Sequence, residues 1–301
     1  MQSAQWAVAL IGYGEVGRIL AEDLRRPGHA VTAYDIRNPS AELAGHALRH
    51  GVAMAPNHAD AVAEADLVIS AVTASQTVAV AKACAGGMRT GALFLDFNSA
   101  SPKAKTLAAA AIDAAGARYV EGAVMTSVPP YRSKVPLLLG GRHAADLQPK
   151  LNAIGFASSV ASPEIGVASA IKMCRSVMIK GLEAMLIESY TTARAYGVED
   201  AVIASLAETF PGIDWEKQGS YFFQRVIEHG KRRAEEMREA ARTVEDAGLA
   251  SWSASGTAQR QDWIAALAAQ RRFGEPGSQA FARSPDWRTE ADRLLGRGPA
   301  P

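Results

Sequence analysis

The sequence predicts an α/β domain with a mostly parallel sheet, followed by an all-α C-terminal domain. Three observations carry this. An apolar run, W-A-V-A-L-I-G, leads into a glycine-rich turn, an amphipathic segment and a second apolar run, A-V-T-A-Y-D. Strand and helix signals then alternate as far as Pro163, which implies parallel strands joined by crossover helices. Beyond Pro163 the strand signals stop and long helical periodicities take over, so residues 1–163 form the α/β domain and 164–301 the helical one. A chain of 301 residues exceeds the usual size of a single core, which agrees with two domains.

The turn is Gly12-Tyr13-Gly14-Glu15-Val16-Gly17, placed between a strand and a helix. Gly12 permits the tight turn, Gly14 lets backbone approach a pyrophosphate, and Gly17 lets the helix pack closely on the strand. The phosphates would rest on unpaired N–H groups at the helix N-terminus. Asp35 ends the second strand about twenty residues on, where a carboxylate can accept hydrogen bonds from an adenosine ribose diol. Together these features mark a Rossmann-type dinucleotide-binding domain. Arg37, just beyond, could hold a 2′-phosphate, but Asp35 would repel one from the more diagnostic position, so NAD is expected over NADP.

The next segments follow in order. Residues 36–40 read as a loop and 41–50 as a helix, then 51–54 as a short strand, 57–65 as a short helix and 66–72 as a buried strand. His46 and His50 stand one helical turn apart, but the residues between them supply no third ligand, so a solvated helix face is expected there and no metal. The strand 91–96 leads to Asn98 and Ser99, and Ser101 with Pro102 starts a helix that Gly116 ends. Ligands of open α/β sheets bind at the carboxyl ends of strands. Val72, Thr73 and Asn98 are therefore assigned to the cofactor and Ser99 to the substrate, with plain satisfaction of the turn backbone as the alternative for Asn98 and Ser99. Strands at 119–124 and 135–139 flank a proline-containing loop, 126–134. A helix at 144–154 and a short strand near 158–161 close the domain.

The helical half reads as 166–196, 201–210, 216–247 and 252–270, with an irregular or partly mobile tail after Gly274 that contains Trp287. At about 100° per residue, Ile171, Cys174, Met178, Leu182 and Met185 form the expected core face of the first of these helices. Lys172, Arg175, Ser176, Ile179 and Glu183 share the adjacent stripe. From spacing alone, Lys172 reads as a lysine snorkelling beside a core stripe.

Composition sets the outer bounds. Basic and acidic residues number 32 and 31, so there is no bulk attraction to nucleic acid or to an anionic membrane. No apolar run approaches a membrane span and no cleavable leader is evident. Two cysteines, Cys84 and Cys174, lie far apart in helical segments, which fits a reducing, cytoplasmic setting.

Four motifs together resemble the β-hydroxyacid dehydrogenase family, which includes 3-hydroxyisobutyrate dehydrogenase and 6-phosphogluconate dehydrogenase. They are the glycine turn at 12–17, Asp96-Phe97-Asn98-Ser99-Ala100-Ser101-Pro102, Glu121 to Ser127, and the glycine-then-lysine helix from Gly166 to Ser176. The resemblance implies hydride transfer between a nicotinamide cofactor and a small hydroxyacid or sugar-acid-like substrate, with Lys172 as catalytic acid and base. An ammonium with an unperturbed pKa of ~10.4 is a poor base at neutral pH, and partial burial beside an oxidised nicotinamide would lower it.

Two departures bear on the substrate. Met125-Thr126-Ser127 stands where the family has Ser-Gly-Gly, and Arg175 and Ser176 stand where it has an asparagine. Thr126 and Ser127 can supply neutral hydrogen bonds, and Arg175 can anchor a carboxylate or phosphate or else form an ordinary ion pair, with Glu183 a possible partner. The helical patterns at 166–196 and 216–247 are too long to bury within one small helical domain, so a homodimer built on the helical half is expected, and the resemblance adds to that expectation. Two alternatives stay open: a reductase of an imine or unusual ketone, and a non-catalytic dinucleotide-binding regulatory protein.

Overall fold

The computed structural model describes residues 5–38, 40–278, 281–282 and 284–297. Its elements begin β1 (Ala7–Ile11), α1 (Glu15–Arg25), β2 (Ala30–Tyr34), α2 (Ala41–His50), β3 (Ala53–Met54), α3 (His58–Val62) and β4 (Leu67–Ser70). They continue α4 (Thr77–Ala85), β5 (Leu93–Asp96), α5 (Pro102–Ala114), β6 (Arg118–Val124), α6 (Val128–Tyr131), β7 (Pro136–Gly140), α7 (Ala144–Ala153) and β8 (Ala157–Ser162). The helical remainder is α8 (Val167–Tyr196), α9 (Glu199–Thr209), α10 (Trp215–Asp246), α11 (Trp252–Ala269) and α12 (Trp287–Leu294).

The described strands form one sheet in the order β3-β2-β1-β4-β5-β6-β7-β8, parallel except for the antiparallel pair β6–β7. Parallel strands covered on both faces read as unbroken apolar runs, and β4 and β5 are buried at every position. Two core clusters lie on the two faces of the sheet. Leu10, Leu20, Leu67 and Leu95 belong to one, and Ile11, Val68, Phe94 and Tyr119 to the other. The chain leaves β1 toward β2 and β3 and later returns to place β4 on β1's other side. This puts the topological switch point, where open α/β sheets bind ligands, between β1 and β4.

Most elements lie where the patterning puts them. Helix α4 agrees with the helical reading of the segment around Cys84, whose bounds the sequence leaves open because T-V-A-V-A alternates as a strand would and no side-chain cap marks its start. The tail after Gly274 is not simply irregular: Asp286 caps α12, and Trp287 is fully buried. The Trp287 ring lies 4.6 Å from that of Tyr190, and its Nε1 donates to Glu216 at 2.8 Å. A helix of eight residues, half of them charged, has too few apolar positions to announce itself by periodicity. Residues 279–280, 283 and 298–301 of the same tail lie outside the described residues.

The chain divides into two compact units, Met1–Met173 and Cys174–Pro301, the division falling within α8. The second unit holds its own core around Ile187, Tyr190, Phe223, Val226, Ile264 and Trp287. It also holds two buried ion pairs, Lys180 with Glu236 at 2.5 Å and Arg233 with Glu183.

The wheel reading of α8 needs a correction. Ile171, Cys174, Met178 and Met185 are exposed, Met178 at 72% and Met185 at 63%, while Met173, Ser176, Lys180, Glu183, Ile187 and Tyr190 are buried. The inward face carries two paired charges, so hydrophobicity alone selects the wrong side. Of the expected stripe, Leu182 alone is partly packed on the core.

Candidate functional site

The glycine turn behaves as its spacing implies. Gly12 has φ +94°, and a Cβ there would stand 2.4 Å from the Ala71 carbonyl oxygen. At Gly17 a Cβ would stand 2.0 Å from the Gly12 carbonyl oxygen, so only glycine lets α1 close on the turn. Gly14, the N-cap of α1, is different: the nearest atom to a Cβ there is Arg37 Nη2 at 3.8 Å, which leaves room for a pyrophosphate against the helix N-terminus. Glu15 is exposed, and Val16 is partly buried against the core.

Tyr13 turns inward. Its ring is fully buried, its N–H donates to Asp35 Oδ2 at 2.8 Å, and its hydroxyl meets His46 Nδ1 at 2.9 Å. Burial pushes its phenol pKa up to about 12. Tyr13 therefore braces the turn and orients Asp35. Asp35 is buried and accepts from the Arg37 N–H and Nε at Oδ1 and from Arg37 Nη2 at Oδ2. Burial alone would raise the Asp35 pKa, but these donors and the Tyr13 N–H outweigh it and hold the carboxyl below its ordinary value.

At the ends of the central strands, Asn98 works as a clamp. Its Oδ1 accepts from the Val72 N–H at 2.7 Å, its Nδ2 donates to Ser70 Oγ at 3.0 Å, and its own N–H donates to Asp96. It ties β4 to β5 just beyond the switch point, with Thr73 following Val72 on the same edge. Ser99 is the next residue and is partly exposed. Lys172 Nζ donates to Ser99 Oγ at 2.5 Å, so the first turns of α8 bring the lysine to the carboxyl edge of the sheet.

Two contacts dock those turns. Gly166 has φ +97°, and a Cβ there would stand 3.2 Å from Pro102 Cβ at the start of α5. The Glu121 carboxylate on β6 is fully buried and accepts from the N–H groups of Gly166 at 2.6 Å and Ser169 at 2.5 Å. A carboxylate at a helix N-terminus satisfies orphan donors and complements the helix dipole.

Met125, Thr126 and Ser127 leave β6 at the edge shared with Asn98 and Ser99, since β5 and β6 are parallel. Met125 N–H donates to the Pro136 carbonyl, Thr126 is exposed, and Ser127 begins α6. Arg175 and Ser176 belong to the second unit, Arg175 exposed and Ser176 buried. Glu183 is held by Arg233 rather than by Arg175.

The charges beneath the site are not among the residues expected from the sequence. Lys105 is fully buried and pairs with Asp96 at 2.9 Å, donating also to the carbonyls of Asp96 and Gly122, while the Tyr119 hydroxyl donates to Asp96 Oδ2 at 2.7 Å. Burial and the adjacent Asp96 drive the Tyr119 pKa well above its ordinary value. A signal was available: Lys105 heads the 105, 108, 109, 112 stripe of α5, whose other members are Ala and Ile. A lysine on an apolar stripe points to a buried counter-charge.

Comparison with known proteins follows the same division. Residues 7–160, half of the chain, match the family described as the NAD binding domain of 6-phosphogluconate dehydrogenase, and residues 193–264 match a domain of unknown function, DUF1932. A conserved hypothetical protein from Sinorhizobium meliloti 1021 is 39% identical over 98% of both chains, with a TM-score of 0.77. The conserved protein MTH1747, whose structure was described as similar to 3-hydroxyacid dehydrogenases, is 28% identical over 88% of this chain and 98% of its own, with a TM-score of 0.69. The 3-hydroxyisobutyrate dehydrogenase of Mycobacterium tuberculosis shares the fold, with 19% identity over 97% of this chain and 99% of its own and a TM-score of 0.72. With the glycine turn, the strand-end clamp and the sheet all in place, the chain belongs to the β-hydroxyacid dehydrogenase family, in an atypical branch like that of MTH1747.

Proposed function

We propose that the protein is an oxidoreductase that moves a hydride between nicotinamide and a small anionic hydroxyacid or sugar-acid-like substrate, with Lys172 handling the hydroxyl proton. The observation that supports this best is Lys172 Nζ on Ser99 Oγ at 2.5 Å, at the sheet edge where the dinucleotide family binds its ligand. When bound, the cofactor supplies the hydride acceptor or donor. In oxidation, the substrate C–H bond breaks with its electron pair leaving as hydride, and the hydroxyl proton passes to neutral Lys172. Reduction reverses both transfers. Ser99 can accept from the lysine and donate onward, which orients the substrate oxygen.

NAD is proposed over NADP. Arg37 is engaged by Asp35, and the buried Asp35 carboxylate would face a 2′-phosphate with like charge. Thr126, Ser127 and Arg175 are proposed as substrate contacts, with Arg175 taking the anion. A homodimer is proposed through the exposed apolar stripe of α8.

A cofactor-coupled absorbance screen tests the activity. Hydroxyacids, sugar acids and their phosphates are offered in both directions, with NAD and NADP. The expected result is turnover of a charged hydroxyacid, faster with NAD. Turnover confined to imines or uncharged ketones would transfer the assignment to the reductase reading, which the Met125-Thr126-Ser127 segment favours. Dinucleotide binding without any turnover would leave the regulatory reading.

A further inference from the structure

We infer that Glu22, His46 and His50 bind one divalent transition-metal ion of the zinc type, at a site separate from the proposed chemistry. His46 and His50 are one turn apart on α2, which puts both imidazoles on one helix face. Along the sequence they lack a third ligand. The fold supplies it from α1: the ligand atoms of Glu22, His46 and His50 all lie within 4.8 Å of one another. Glu22 Oε1 is 3.1 Å from His46 Nε2, and the two imidazole rings stack with centroids 4.4 Å apart.

Zinc–nitrogen bonds of 2.0–2.1 Å put the ligand atoms of a tetrahedral site about 3.3 Å apart. Rotation of the partly exposed His50 closes that gap, and the partial exposure of Glu22 and His50 gives an ion its way in. Two imidazoles and one carboxylate suit zinc, cobalt or nickel, whereas calcium and magnesium take oxygen ligands.

The surroundings match those of a built site. A metal-binding histidine normally donates its second ring N–H to an oxygen, which fixes its tautomer. His46 Nδ1 has such a partner in the Tyr13 hydroxyl at 2.9 Å. The second Glu22 oxygen, Oε2, accepts from Arg132 Nη2 at 2.7 Å, which orients the carboxylate. An ion here would pin α1 to α2 and, through Tyr13, steady the turn that presents Gly14. The competing arrangement is an ordinary Glu22–His46 pair with a second histidine stacked on it.

Metal-free protein titrated with cobalt(II) separates the two. The expected result is visible ligand-field absorption that saturates at one equivalent and is abolished by zinc. His50→Gln should weaken the apparent affinity at least tenfold, and Tyr13→Phe should weaken it about tenfold through the lost second-sphere contact. The metal-free His50→Gln protein should melt as the parent does, so that lost binding is not lost folding. No absorption at stoichiometric cobalt, or absorption unchanged by His50→Gln, would overturn the assignment.

Discussion

Two lysines on α8 have opposite surroundings. Lys172, in the first unit, is partly exposed and donates to a hydroxyl, Ser99. Lys180, in the second, is buried and donates to a carboxylate, Glu236, at 2.5 Å. Burial pulls the Lys180 pKa down, and Glu236 works against that shift. A carboxylate can only accept, so it holds Lys180 in its ion pair, whereas a hydroxyl accepts and donates and can pass a proton onward. The same residue type on one helix is thus locked in a buried ion pair at one place and left partly exposed on a hydroxyl at the other, where proton transfer is proposed.

Substituting Lys172 by Met should sharpen this contrast most. Turnover should fall on the order of 10² to 10⁴-fold, the usual cost of a lost acid or base, with dinucleotide affinity within a few-fold. Steady-state kinetics and cofactor titration read the two quantities, and near-normal turnover would dissolve the distinction between the lysines. Lys180→Met should do the reverse. Breaking a buried pair costs about 3–5 kcal/mol, and the loss here should sit at the low end because Arg232 also holds Glu236 at 2.8 Å. Urea unfolding measures it, while kcat should stay within a few-fold. The smallest effect per molecule concerns the outward face of the helix. The double substitution Met178→Asp and Met185→Asp should convert the proposed dimer to monomer by light scattering and lower the unfolding midpoint only by the lost association. A parent protein that is already monomeric at micromolar concentration would remove the dimer.

The two halves also differ in how much of them could be read in advance. The glycine turn, Asp35, the Ser101-Pro102 helix start and the alternation of strands and helices were all legible, because each rests on local backbone geometry at fixed spacing. Gly12 and Gly17 are required by contacts with Ala71 and with Gly12 itself that any fold of this motif would make. On α8 the same logic failed. An apolar stripe reads identically whether it faces the core or a second molecule, and the buried face carries Lys180 and Glu183, whose partners Glu236 and Arg233 lie more than forty residues away.

By itself, then, the sequence determined the alternation of strands and helices, the glycine turn and the carboxylate at the end of β2, since each of these shows in a short run of residues. Only the tertiary structure decided that Glu121 anchors the helix bearing Lys172, that Lys105 neutralises Asp96, and that Glu22 stands beside His46 and His50. Each of these joins a charge on one element to a group on another. Charges are buried only where a partner meets them, and which elements meet is a property of the packed fold that residue spacing along the chain does not contain.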